Sequence, residues 1–150
     1  MTQALEIEGL DVRYGQTRAL SEVSLTVGAG EVVALVGANG AGKSSMLNAL
    51  MGLVPQIAGR MKVCGATVDA LPTRERILAG LAPRIVQEIA AFVRNVRAEG
   101  VSVVLAEQNA EMALGAADRA YVLQNGEVVM SGPAGEVAAD PQVRAAYLGL

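Results

Sequence analysis

The sequence predicts an α/β fold, with a mostly parallel sheet and antiparallel strands near the N-terminus. Apolar and polar residues alternate early in the chain, a continuous apolar run follows, and strand-like and helix-like segments then alternate to the C-terminus. Because parallel strands need a long crossover, usually a helix, this alternation indicates parallel pairing. The 150 residues correspond to about one domain.

The first third of the chain predicts two strands, a buried strand and a helix. Period-two alternation at residues 5–7 and 23–27 predicts half-buried antiparallel strands. Residues 32–36 are apolar throughout and end at Gly37, as expected of a strand buried on both faces. Residues 43–51 carry apolar side chains at helical spacing, so a helix is predicted directly after a glycine-rich turn.

The rest of the chain continues the alternation. Residues 60–68 predict a hairpin around Cys64, which we expect to be a half-buried strand residue. A helix is predicted from Pro83 to Gly100, because its apolar residues share one helical face, and a strand at 101–106 follows it. The remaining predicted elements are a helix at 110–116, a strand at 120–123, a turn at 125–126, a strand at 128–130 and a last helix from 140 to 148.

Composition excludes several classes of function. The chain has no histidine, which removes His-based acid–base catalysis and imidazole metal sites. Its net charge of −3 and its four aromatic residues, three Tyr and one Phe, argue against nucleic-acid binding. The single cysteine cannot form an internal disulfide, which favours a reducing, cytoplasmic compartment. With no signal-peptide pattern and no apolar run of about 18 residues, we expect a soluble chain that does not cross a membrane.

A phosphate-binding motif lies between the buried strand and the helix that follows it. The pattern is G-x-x-x-x-G-K followed by Ser or Thr, and it is formed by Gly37, Ala38, Asn39, Gly40, Ala41, Gly42, Lys43 and Ser44. The glycines let backbone N–H groups turn toward the β- and γ-phosphates of a nucleoside triphosphate, and the helix N-terminus adds its dipole. We expect Lys43 to neutralise phosphate charge, Ser44 to ligate Mg²⁺ and Ser45 to reach the α-phosphate.

Further candidate residues lie outside this motif. Tyr14 could stack on an adenine ring or pack at the end of a strand. Gln108 and Asn109 follow the strand at 101–106, so they could emerge beside the phosphate loop or begin a loop and cap the next helix. Because side chains alternate along a strand, Glu107 is expected to point away from any site that Gln108 faces.

Together these residues resemble the ATP-binding subunits of bacterial ABC transporters, and most closely the ATPase subunits of branched-chain amino-acid uptake systems. The resemblance is carried by residues 12–15 and 19–27, by 30–43 around the phosphate loop, by 99–101 and 104–109, and by much of 117–149. It therefore extends over nearly the whole chain outside its middle.

The resemblance implies a P-loop NTPase core that binds ATP and Mg²⁺. It implies that Tyr14 stacks on adenine and that Lys43 and Gln108 are catalytic. Many ABC ATPases place a His at the position that meets the γ-phosphate, whereas the subfamily that this chain resembles has Gln there, which matches Gln108. It further implies a cytoplasmic location, peripheral on the inner face of the membrane. The implied partners are membrane permease subunits, a second ATPase subunit in a homo- or heterodimer and, indirectly, an extracellular amino-acid-binding protein, with no nucleic acid.

The middle of the chain departs from this family. Its Gln-containing loop, its Leu-Ser-Gly-Gly signature and its apolar strand ending in Asp-Glu are missing. Residues 74–80 resemble the segment before the Gln loop, whereas residues 80–83 resemble the segment after the Asp-Glu strand. We therefore expect residues 1–150 to form a single truncated nucleotide-binding domain without the helical subdomain, with a deletion junction near 80–82. The chain is then an active ATPase subunit, a remnant that binds ATP without hydrolysing it, or a non-functional deletion product.

Overall fold

Two four-stranded sheets and a set of short helices form the fold, in a computed structural model that describes residues 2–81 and 88–149. The strands are β1 (Gln3–Tyr14), β2 (Thr17–Gly28), β3 (Val32–Val36), β4 (Gln56–Val63), β5 (Ala66–Thr67), β6 (Val103–Ala106), β7 (Arg119–Gln124) and β8 (Glu127–Pro133). The helices are α1 (Lys43–Leu50), α2 (Thr73–Leu78), α3 (Ile89–Ala98), α4 (Ala110–Ala116), α5 (Ala134–Ala139) and α6 (Pro141–Val143), with a π-helical turn at Arg144–Leu148.

The two sheets differ in the direction of their strands. The first has the order β2-β1-β4-β5 and is antiparallel throughout. The second has the order β6-β3-β7-β8, in which β6, β3 and β7 are parallel and β8 runs antiparallel to β7. This confirms the predicted α/β class with antiparallel strands at the N-terminus.

Strand β3 separates two apolar cores. Val33 and Leu35 face the first sheet and helix α1, whereas Val32, Ala34 and Val36 face a cluster formed with helices α3 to α6. Each of these five side chains is buried. A strand covered on both faces reads as a continuous apolar run, which is why the sequence pattern identified it.

The parallel register determines which loops meet at the carboxyl end of β3. Leu35 lies opposite Ala106 on β6 and opposite Tyr121 on β7. The segments that follow these strands therefore emerge at the same edge of the sheet as the phosphate loop. Tyr121 also joins the two sheets, because its hydroxyl accepts a hydrogen bond from the backbone N–H of Thr26 at 3.0 Å.

Two predictions need correction. Cys64 is exposed rather than half-buried, because it occupies a two-residue hairpin turn with Gly65 and has a φ of 48°. Strand β6 begins at Val103, since the backbone N–H of Val101 instead donates to the carbonyl oxygen of Val96 at 3.0 Å, at the end of α3. The predicted start of that helix at Pro83, and residue 82 of the proposed junction, lie outside the described residues.

Candidate nucleotide-binding site

The phosphate loop connects the buried strand β3 to helix α1. The helix begins after Gly42, whose φ is 115°, and no side chain caps its first turn. Its free N–H groups and its dipole therefore favour an anion at this end. The loop is packed tightly on β7, because a Cβ on Gly37 would lie 2.5 Å from the carbonyl oxygen of Leu123. Any side chain at position 37 would push the loop out of place.

A cavity of about 400 Å³ lies between this loop and the hairpin formed by β1 and β2. This volume is within the range of roughly 300–1,000 Å³ that small-molecule sites occupy. Its wall is formed by Tyr14, Thr17, Arg18, Ala19, Ala38, Asn39, Gly40, Gly42, Lys43, Ser44, Ser45 and Asn125. The structure thus brings Tyr14 together with most of the phosphate-binding motif. Gly37 and Ala41 are buried behind this wall.

The ammonium of Lys43 is directed into the phosphate loop, where its Nζ donates to the carbonyl oxygen of Gly37. Burial lowers the pKa of Lys43 from the usual 10.5, and the negative charge of Glu107 offsets part of this effect. Among the described residues Lys43 forms no ion pair. Its charge is therefore available to an anion in the cavity.

Gln108 and Asn109 have different roles: one contacts the phosphate loop, and the other caps the next helix. The side-chain amide of Gln108 donates to Oδ1 of Asn39 in the phosphate loop at 3.2 Å. Asn109 instead caps helix α4, since its Oδ1 accepts the backbone N–H of Met112 at 3.0 Å. Gln108 thus reaches the loop, and Asn109 has a structural role.

The expectation that Glu107 points away from the site is wrong. Its Oε1 accepts the backbone N–H groups of Gln108 at 2.9 Å and Asn109 at 3.2 Å. Burial lowers the pKa of Lys43, and the charge of Glu107 offsets part of that lowering. Strand β6 ends at Ala106, so the alternation of side chains along a strand does not extend to Glu107 and Gln108. Neither residue lines the cavity, but Gln108 contacts Asn39 of the phosphate loop and the charge of Glu107 acts on Lys43.

Four residues of the cavity wall were not singled out from the sequence: Thr17, Arg18, Ala19 and Asn125. The turn at Asn125 was predicted, but its position was not. Its neighbour Gly126 donates its N–H to the carbonyl oxygen of Ala41 and accepts the N–H of Ser21, at 2.9 and 2.8 Å. This long-range pairing, which leaves no local pattern, places Asn125 between the loop and β2.

Comparison with known proteins assigns the family. Residues 20–131, more than half of the chain, match the family model described as "ABC transporter". The chain belongs to the ATP-binding subunits of ABC transporters. Residues 127–149 also match a model described as "Branched-chain amino acid ATP-binding cassette transporter". The ATP-binding subunits of this family use ATP, dimerise and work with membrane permease components.

The individual relatives belong to the same family but are named for different transported substrates. The chain is 29% identical over 231 aligned residues to the high-affinity branched-chain amino acid transport ATP-binding protein BraG of Pseudomonas aeruginosa, covering 97% of this chain and 99% of that protein. It is 24% identical over 236 residues to the lipopolysaccharide export system ATP-binding protein LptB of Acidithiobacillus ferridurans, covering 99% and 98%. The transported substrate is therefore not settled by similarity.

The fold is shared with solved ABC cassettes. One of them, an ATP-binding cassette of an ABC transporter in its ADP conformation, superposes with a TM-score of 0.75 at 15% identity, covering 100% of both chains. Within the described ranges, no helix is both long enough and apolar enough to span a membrane.

Proposed function

We propose that this chain binds Mg-ATP in the cavity beside the phosphate loop, as the ATP-binding subunit of an importer of branched-chain amino acids. The observation that carries the proposal is the meeting of Tyr14, Lys43 and Ser44 around one cavity. Tyr14, whose side chain is 45% exposed, offers an aromatic face for the adenine. The uncapped helix N-terminus and Lys43 offer positive charge for the phosphates.

Each part of the loop has a role toward the nucleotide. The backbone N–H groups of residues 37–43 and the ammonium of Lys43 hold the β- and γ-phosphates. The hydroxyl of Ser45 reaches the α-phosphate. Gln108, which contacts Asn39 at 3.2 Å, stands at the γ-phosphate end. In this proposal Lys43 and Gln108 meet the group to be transferred, and the contact of Gln108 with Asn39 supports it.

The site also fits Mg²⁺, an ion that prefers oxygen ligands and usually binds with substrate phosphates. Ser44 is exposed on the cavity wall, and its hydroxyl would hold the ion together with phosphate oxygens. Across residues 2–81 and 88–149 there is no group of three His, Cys, Asp or Glu that could hold a metal ion. When bound, Mg²⁺ supplies neutralisation of phosphate charge.

Branched-chain amino-acid import is supported by the match at residues 127–149 and by the similarity to BraG. In such a system the chain acts at the cytoplasmic face of the membrane, docked on permease subunits and paired with a second ATPase subunit. An extracellular binding protein then delivers the amino acid to the permease.

We also propose that an internal deletion near residues 80–82 has removed part of the catalytic machinery. The alignment with BraG supports this, because it extends over 231 positions whereas this chain has 150 residues. More than 80 of the aligned positions therefore have no counterpart in this chain. The chain lacks an apolar strand ending in Asp-Glu and the Leu-Ser-Gly-Gly signature. Loss of a general base alone slows a reaction by roughly 10²–10⁴. The second candidate function is therefore a nucleotide-binding remnant that holds ATP but hydrolyses it very slowly.

Calorimetric titration with Mg-ATP tests the site. Lys43→Ala should weaken binding by about 100-fold, because several charge-assisted contacts to phosphate are lost together. Lys62→Ala is the matched control, since Lys62 is the other lysine of the chain and lies on β4, outside the cavity wall. Equal affinity of the two variants would refute the phosphate-loop assignment.

Phosphate release then separates the two candidate functions, with Lys43→Ala as the control for contaminating ATPases. A remnant should turn over roughly 10²–10⁴-fold below the rate of about one per second found for working NTPases. Turnover near one per second that depends on Lys43 would show an active ATPase and would contradict the proposed loss of catalytic groups.

A further inference from the structure

Arg18 lies on the wall of the nucleotide cavity, yet the phosphate-binding motif gives it no role. Its Nε donates to Oδ1 of Asp11 at 2.7 Å, and its Nη2 bonds to the same oxygen. The side chain of Asp11 is only 14% exposed, whereas that of Arg18 is 43% exposed. Asp11 therefore anchors the guanidinium while leaving part of it open to the cavity.

The guanidinium of Arg18 has N–H donors left that can bind a ligand. Arginine carries five N–H donors in a planar fork, and only the donors on Nε and Nη2 contact Asp11. Throughout the described part of the chain, Arg18 has no other hydrogen-bond acceptor. Its remaining donors on Nη1 and Nη2 can therefore bind an anion without breaking the contact with Asp11.

The path of β2 places Arg18 between the two ends of the cavity. Tyr14 marks the end proposed for the base. Two residues after Arg18, Leu20 contacts the start of α1, because a Cβ on Gly42 would lie 2.8 Å from its Cδ2. At about 3.3 Å of rise per residue, the backbone of Arg18 is roughly 7 Å along the strand from this contact.

We infer that Arg18 binds the α-phosphate of the nucleotide and is held in place for this by Asp11. The inference rests on the proposed ATP site, in which Lys43 and the helix N-terminus take the β- and γ-phosphates. The α-phosphate lies between these groups and the base, and Arg18 lies in the same interval of the wall. A guanidinium fork matches the oxygens of a phosphate group and is already charged, so it needs only to be oriented.

The test compares the loss of affinity in two variants with the same change of charge. Arg13 lies directly across from Arg18 in the register of β1 and β2, is exposed, and is absent from the cavity wall. Titration calorimetry with Mg-ATP, Mg-ADP and AMP should show that Arg18→Ala binds all three nucleotides about tenfold more weakly. Arg13→Ala should stay within about twofold of the parent, since its charge is screened by solvent.

The comparison of the three nucleotides identifies the phosphate group that Arg18 contacts. Equal loss for ATP, ADP and AMP supports the inference, because the α-phosphate is the one phosphate that all three carry. Loss confined to ATP, or to ATP and ADP, would overturn it, and so would equal affinities of Arg18→Ala and Arg13→Ala. If Arg18→Ala fails to fold, Arg18→Gln, which keeps a donor for Asp11 but removes the charge, is judged by the same criterion.

The proposed function can fail separately from this inference. If the parent protein binds none of the three nucleotides, the ATP site and the role of Arg18 are both refuted. If binding depends on Lys43 and not on Arg18, the ATP site stands and only the α-phosphate contact is refuted.

Discussion

Arg76 is a buried cation beneath the phosphate-loop helix, and its replacement tests what holds that helix in position. Its side chain is 4% exposed. Its guanidinium donates to the carbonyl oxygens of Ala49 and Leu50 at 2.7 and 3.1 Å, of Leu71 at 2.7 Å and of Asp69 at 2.9 Å. The first two carbonyls belong to the last turn of α1, where a positive charge interacts favourably with the helix dipole. The carbonyl oxygen of Ala49 also accepts the backbone N–H of Gly52 at 3.1 Å.

Arg76→Met keeps an unbranched apolar stem and removes the guanidinium with all four hydrogen bonds. A hydrogen bond to a charged group contributes about 1.5–3 kcal/mol, and leaving a buried acceptor unpaired costs about 1–3 kcal/mol. The burial that lowers the pKa of Arg76 also measures a desolvation penalty that the variant no longer carries. After this gain is subtracted from the cost of the lost hydrogen bonds, we expect the free energy of unfolding to fall by about 2–4 kcal/mol, which is large for a single substitution.

Urea denaturation followed by circular dichroism measures this loss, and thermal unfolding should show a midpoint lowered by roughly 5–15 °C. The matched control is Arg74→Met, which changes an exposed arginine on the same helix α2 and should stay within about 0.5 kcal/mol of the parent. If Arg76→Met is as stable as Arg74→Met, the guanidinium does not hold the end of α1, and the argument from its four acceptors is refuted.

Three further outcomes concern the site and the edge of the second sheet. Gly126→Ala should lower the free energy of unfolding by about 2–4 kcal/mol, because its φ is 79° and the added Cβ would lie 2.4 Å from a backbone carbonyl oxygen of β2. Gly15→Ala, with a φ of 58° and open space around it, should cost only about 1–2 kcal/mol in the same urea experiment, and equal losses would contradict this explanation. Tyr14→Ala should weaken Mg-ATP binding about tenfold in calorimetry, whereas Tyr14→Phe, which keeps the ring, should stay within about twofold; a large loss in the Phe variant would show that the hydroxyl, not the ring face, binds. Strand β6 ends the described sheet, and an apolar sheet edge favours association, so Val104→Lys should reduce self-association in sedimentation velocity. Concentration-independent monomers for both parent and variant would contradict that expectation.

Local patterns in the sequence were sufficient for most secondary structure. Helix α4 was predicted at 110–116 and is observed over Ala110–Ala116, because its apolar spacing and the preceding asparagine cap both act within one turn. The last helix follows the same logic, since Oδ1 of Asp140 accepts the backbone N–H groups of Gln142 and Val143. Strand β3 was equally visible, because burial on both faces leaves no polar residue in it.

The groups that the sequence did not predict depend on contacts between distant segments. Arg76 contacts the end of α1, 26 or more residues earlier, and no pattern near Arg76 distinguishes it from the exposed arginine two residues before. Arg18 faces the cavity only because β2 passes beside the phosphate loop. The position of Glu107 was predicted wrongly because the end of β6 at Ala106 cannot be located from alternation alone.

The distribution of the site along the chain gives a physical reason for separating ATP binding from hydrolysis. Every residue of the cavity wall except Asn125 lies between Tyr14 and Ser45, in one continuous segment that precedes the proposed deletion junction. Its supporting contacts come from β7 and the turn after it, through Leu123 and Gly126, which lie well beyond that junction. Gln108 also lies beyond that junction and is carried to the loop by the pairing of β6 with β3. A change in the middle of the chain can therefore remove groups that act on the γ-phosphate and leave the nucleotide cavity in place.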